Sequence, residues 1–272
     1  MMFGKKPLQK PEKAGAASPQ TTRAGDGNGG LPPPASNFPW AGQKDEIGCN
    51  FAFAHLVRNL PVRLTSDGRI HAETLMAAAG VVAGIAAQIS LISDPAVLTK
   101  AKATGQLVDA TFKDGRVMLY GDALNLMLYT NDVALARARV WNMLVAAALS
   151  TGMNRQAIPN MEALFQHVTR AMGSEREGFP STPPNHQPLL SAHDLLKLVA
   201  PLAFECLTGE IDAITKKNGF RAFETSWVTV TAQAAANVLI DATQVLAPEL
   251  CVTIGMESAI YASKIRGNLP SA

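Results

Sequence analysis

The polar chemistry this sequence offers most plainly sits on His71, Glu73, Asp122, Asn125 and His186. His71 and Glu73 stand two positions apart at the start of a long apolar run, and an imidazole beside a carboxylate is able to pass a proton or bind a metal. The stretch Tyr120-Gly121-Asp122-Ala123-Leu124-Asn125 puts a carboxylate and an amide three residues apart on one helix face, at a strand-to-helix junction where ligand groups commonly lie. His186 falls in a long connection and can serve as a general base. A pocket built from these residues under the 174–190 loop is therefore one expectation. Each residue also has a plainer role. Glu73 suits the positive end of a helix dipole, Asp122 suits an N-cap, Asn125 can bond nearby backbone and His186 can simply face water. His55, His167 and His193 lie in helical patterns without metal-ligand spacing.

The familiar catalytic motifs are incomplete. His71-Ala72-Glu73 copies the first half of the zinc deaminase signature, but the Pro-Cys-x-x-Cys half is missing. Cys49, Cys206 and Cys251 are odd in number and far apart, which predicts neither a zinc site nor a redox pair. No H-E-x-x-H, Walker loop or G-x-S-x-G occurs. Gly25-Asp-Gly-Asn-Gly-Gly30 follows no strand and lacks later acidic ligands, so it reads as linker. No metal and no cofactor is predicted.

With 47% hydrophobic and 17% charged residues over 272 positions, the chain can bury a large core. Residues 1–36 differ from the rest. Six glycines, six prolines and few large apolar side chains predict a disordered tail, and 37–272 is expected to form a single domain. The tail holds five basic and two acidic residues, so the net charge of +2 leaves the domain near neutrality. A near-neutral body lacks the basic stripe that nucleic acid requires, and no nucleic-acid partner is expected. The absence of an apolar segment after Lys5 and Lys6 argues against a secretory signal and predicts a cytoplasmic protein.

The fold expected is mainly α, with six to eight helices around a buried central helix and one β-hairpin. The central helix runs from Ile70 to Ile92. It is long enough to cross a membrane, but its apolarity is largely Ala and Gly and no basic cluster or aromatic belt flanks it, so no membrane partner is expected. Gly80 and Gly84 lie on one face of it, where another helix can approach closely. Asp114-Gly115 between β-prone residues predicts the hairpin. Pro61 should end the first helix, Asn131 should cap a helix from Asp132 to Ser150, and Asn160 one from Met161 to Met172. Ser191 with Asp194 reads as a capping box, a helix should open at Thr225 or Ser226, and Pro248 should open the last one.

Across Gly68 to Gln88, Tyr120 to Asn125 and Gly178 to Pro188 the chain resembles a family of bacterial proteins with no assigned function. That resemblance implies no activity, cofactor or substrate. Two functional expectations stand beside it: a non-catalytic interaction or scaffold protein that self-associates as a homo-oligomer, and a small-molecule-binding protein or enzyme using the pocket above.

Overall fold

The computed structural model describes residues 38–112 and 114–266; the expected tail, 1–36, lies outside them, as does 267–272. In chain order the elements are α1 (Glu46–Leu64), α2 (Ala72–Ile92), α3 (Pro95–Ala103), β1 (Val108–Thr111), β2 (Val117–Tyr120), α4 (Asp122–Leu128), α5 (Val133–Ala136), α6 (Val140–Ser150), α7 (Met161–Ala171), α8 (Ala192–Thr208), α9 (Ala213–Asn218), α10 (Trp227–Ala242) and α11 (Pro248–Lys264). The chain is mostly helical, with one antiparallel hairpin. Among the described residues eleven helices exceed the expected six to eight, because α3, α5 and α9 are too short to leave an apolar period in the sequence.

Every residue of α2 from Glu73 to Leu91 is buried. The helix is long and apolar enough to cross a membrane, yet 89% of that stretch is buried inside the protein. Its closest partner is α11. A Cβ placed on Gly80 would lie 2.2 Å from the carbonyl oxygen of Gly255, and one on Gly84 would lie 2.3 Å from that of Ala259. Four residues further on, the Gln88 side chain donates to the Ser263 and Ile265 carbonyls at 2.6 and 3.0 Å. These matched steps of four mean that the two helices run parallel, touching backbone to backbone for about two turns. α10 packs on another side of α2 and α6 packs on α10, while α1 and α8 pair and close the bundle.

The hairpin joins this bundle at the far end of α11. β1 and β2 pair from Val108–Tyr120 to Thr111–Val117, and residues 112–116, with Gly115 at φ +83°, connect them. The Arg266 N–H donates to the Val117 carbonyl, so the end of α11 is tied to β2. Leu91, Ala101, Leu107, Leu119 and Leu124 form a smaller core beneath the hairpin.

Three local expectations change. α1 continues through Pro61 to Leu64. Proline removes the one donor that would bond the Val57 carbonyl a turn upstream, and so close to the helix end this does not break the helix. The predicted 132–150 helix is split at Arg137–Arg139, because Asn142 bonds both the N–H and the carbonyl of Thr130 and Arg139 turns extended. Asp132, rather than Asn131, caps the first piece. The caps at Asn160 and Ser191 and the proline at the start of α11 form as expected.

The glycine contact yields a test. Gly84→Ala improves intrinsic helix propensity by about 1 kcal/mol, yet its methyl has no room against Ala259. Chemical denaturation should show Gly84→Ala and Gly80→Leu destabilised by roughly 2 kcal/mol or more, at the upper end of overpacking costs. Variants as stable as the parent would refute the close contact.

Candidate functional site

The first turn of α2 gathers three of the residues singled out above. His71 is the N-cap, and its Nδ1 accepts from the Thr74 N–H at 3.4 Å and lies 2.9 Å from the Thr74 hydroxyl. That hydroxyl also accepts from the Leu189 N–H at 2.9 Å, so its own proton points to His71 Nδ1. The tautomer follows: His71 carries its proton on Nε2, 3.3 Å from Glu73 Oε2. His186 Nδ1 lies 3.0 Å from the other oxygen, Oε1, and donates to it. A carboxylate only 7% exposed thus joins two partly exposed imidazoles, and His186 Nε2 has no partner among the described residues.

Hydroxyl, imidazole and carboxylate stand here in the order of a catalytic relay. Thr74 is nevertheless 5% exposed and its oxygen is occupied by Leu189. Burial, with the Glu73 charge adding to it, pushes the Cys251 thiol up to about 12, far from a thiolate nucleophile. The ring nitrogens of His71 point to Thr74 and Glu73 instead of a shared point in space. Among the described residues no three His, Cys, Asp or Glu side chains form a group able to hold a metal ion.

Asp122 and Asn125 do not join this cluster by any hydrogen bond or ion pair among the described residues. Asp122 is the first residue of α4, exposed and making no cap bond; Gly121 takes the N-cap place with φ 140°. Asn125 is partly buried and its Oδ1 has no partner among the described residues.

The 174–190 loop is a strap held down at three glutamates. Glu73 holds His186. Glu257 of α11, 2% exposed, accepts from the Ser181 N–H and hydroxyl at 2.6 and 2.8 Å. Burial raises the Glu257 pKa, and the Ser181 bonds pull it back. Glu177 accepts from the Arg116 guanidinium, the Tyr261 hydroxyl at 2.7 Å and the Gly173 N–H at 2.7 Å. The Arg116 bond outweighs burial and holds Glu177 down at about 2. A cavity of about 10 Å³, one water's worth, lies beneath the strap among Phe179, Pro180, Glu257 and Tyr261.

The polar face of α11 went unnoticed in the sequence. Glu257, Tyr261 and Lys264 recur at steps of four and three, a helical stripe that a buried-helix reading conceals. Lys264 is 4% exposed, with its ammonium 4.7 Å from the Tyr120 ring and 5.7 Å from that of Phe165. No carboxylate pairs with it among the described residues, and burial lowers its pKa to about 8.

The roomier openings lie elsewhere. One groove of about 540 Å³ runs between α6 and α10. Its walls carry Met143, Ala146, Ala147, Ala236 and Ile240, with Pro39 at the margin and Arg137 and Gln233 as polar members. The adjoining α5 exposes Val133 at 87% and Leu135 at 45%. A second cleft of about 550 Å³ between α8 and α9 is edged by charges, of which Lys216 and Glu210 are already paired.

Comparison with protein families, with curated proteins and with solved structures gave no match.

Two outcomes follow from the charges. The folded pKa of Glu177 lies below the unfolded value near 4.3, so its stabilisation is complete above that value and is lost as pH falls toward 2. After solvent screening it is worth about 2 kcal/mol, which Glu177→Gln should remove at pH 7 and not at pH 2. Lys264 has the opposite sign. Its folded pKa lies below the unfolded one near 10.4, so its penalty is full below about 8, fades as pH rises from there and is gone above 10.4. Lys264→Met should therefore stabilise the protein at pH 7 by roughly 1–3 kcal/mol and flatten the rise of stability between pH 8 and 10. Thermal melts across pH read both effects, and a destabilised Lys264→Met would reveal a partner for the amine.

Proposed function

We propose that this chain is a non-catalytic interaction protein and that the groove between α6 and α10 holds an extended, proline-rich segment of a partner. The groove's composition carries this reading. Small side chains at Ala146, Ala147 and Ala236 make a smooth floor, Met143 and Ile240 add apolar contact, and Arg137 and Gln233 have no hydrogen-bond partner among the described residues. A polyproline segment leaves its carbonyls unbonded, which donors at the edge of a smooth apolar floor suit. The chain's own Pro39 already sits at one margin.

An oligoproline peptide titrated into the full chain should shift backbone NMR resonances of α6 and α10 and leave those around His186 in place. Ala146→Arg, a change at an exposed position, should abolish the shifts. Undisturbed α6 and α10 resonances would defeat this reading. A dimer in sedimentation that Ala146→Arg dissociates would also replace it, with a second copy of the chain as the occupant.

The Thr74, His71 and Glu73 relay favours a second reading, an acyl-transfer enzyme that works once the strap lifts Leu189 off Thr74. Such an enzyme would release nitrophenol from p-nitrophenyl acetate in a burst that Thr74→Val and His71→Ala both remove. A protein without the burst, or a burst indifferent to both changes, leaves the relay as a helix cap.

A further inference from the structure

The cleft between α8 and α9 shares no lining residue with the α6–α10 groove and differs from it in kind. Its volume of about 550 Å³ falls inside the range of roughly 300–1,000 Å³ typical of small-molecule sites. Its walls are fixed by bonds that need no ligand. Asp212 caps α9 by accepting from the Ile214 and Thr215 N–H groups at 2.7 and 2.9 Å, and the Thr215 hydroxyl donates to the Gly209 carbonyl at 2.7 Å. Gly209 adopts φ +75°, and a Cβ there would lie 2.1 Å from the Phe220 carbonyl oxygen, so the turn after α8 presses directly on the 219–224 segment. That segment is pinned in turn. The Ala222 N–H donates to the Leu207 carbonyl at 3.0 Å, the Phe223 N–H to the Asp45 carboxylate at 2.7 Å, and the Ser90 hydroxyl to the Glu224 carbonyl at 2.6 Å. On the α8 side Phe204 stands edge-on to the buried Trp227, with ring centroids 5.4 Å apart.

This frame presents charges that have no partner. Glu205, Arg221 and the half-buried Glu224 line the cleft, and their side chains make no hydrogen bond or ion pair among the described residues. Lys216 and Glu210, also in the lining, neutralise each other. Two carboxylates and one guanidinium are left around the apolar surface of Phe204 and Pro201. The complement of that set is a molecule with two cationic groups, one carboxylate and a short methylene stem. A bare cation would meet the repulsion of Arg221, whereas a carboxylate on the ligand turns that same guanidinium into a bidentate partner.

We propose that the α8–α9 cleft binds a basic α-amino acid, with its carboxylate on Arg221, its two cationic groups on Glu205 and Glu224, and its methylenes along Phe204 and Pro201.

Titration of L-lysine into the isotope-labelled full chain tests it. Backbone NMR resonances of α8, α9 and residues 219–224 should shift to saturation while those of α6 stay in place. Three analogues each lack one group: norleucine has no side-chain cation, Nα-acetyl-lysine no α-ammonium and cadaverine no carboxylate. Loss of one charged hydrogen bond should weaken binding about ten-fold or more for each analogue, and equally for lysine on Arg221→Ala, Glu205→Gln and Glu224→Gln. Should a variant fold poorly, the analogue series on the unaltered chain decides alone. Absence of a saturable shift with millimolar lysine would overturn the proposal. Cadaverine binding as tightly as lysine would also overturn it, since Arg221 would then hold nothing, and so would shifts that potassium chloride reproduces at equal ionic strength, since screening would account for them.

Discussion

The rest of the molecule depends on the absence of two side chains. Gly80 and Gly84 let α2 meet the carbonyls of Gly255 and Ala259 directly, and an ordinary residue at either place would force the helices apart. Because the contact is parallel and in register, it fixes both ends of the pair. At one end Glu73 comes to lie near Cys251; at the other Gln88 reaches the last carbonyls of α11, and those same residues anchor the hairpin. Glycine in a helix interior costs about 1 kcal/mol relative to alanine, and the dispersion contact of two closely apposed backbones offsets it. α10 and α6 then build outward from this pair.

The same packing explains why polar residues of catalytic type end up structural. A helix buried on every side leaves its first-turn polar groups no water, so each must find a protein partner. Glu73 finds two imidazoles, Glu257 finds Ser181, and Glu177 brings Arg116 and Tyr261 together. Each bond also pins the 174–190 strap, whose proline-rich backbone makes no regular ladder of its own. Removing any one of them would bury a charge without its partner, a larger loss than the bond itself is worth.

The fold was largely legible in the sequence. The glycine spacing in an uncharged run located the central contact, and the hairpin, the caps at Asn160 and Ser191 and the last helix were signalled by local chemistry whose partners lie within a few residues. Pro61 misled because a proline three residues from a helix end forfeits one donor without ending the helix, and the break at Arg137–Arg139 depends on the bonds between Thr130 and Asn142. The site was half legible. His71 and Glu73 are neighbours in sequence, but their meeting with His186 spans more than a hundred positions, and no periodicity encodes it. Asp122 and Asn125 shared a helix face, which says nothing about what that face meets. Tyr261 and Lys264 stayed hidden because an amphipathic stripe is informative only where the opposite face is wet, and α11 is buried all round from Ile254 onward.

What remains open on the surface is informative for the same reason. Inside the bundle small residues are matched by close neighbours, as the glycine contact shows. Between α6 and α10 the small residues Ala146, Ala147 and Ala236 recur, but the space above them is unfilled and the apolar α5 lies beside it. Ala146 is exposed while Ala147 and Ala236 are buried beneath it, and exposed Val133 and Leu135 are unfavourable in water. A flat floor selects for an occupant that is narrow and extended, since a helix with large side chains would be held away from it.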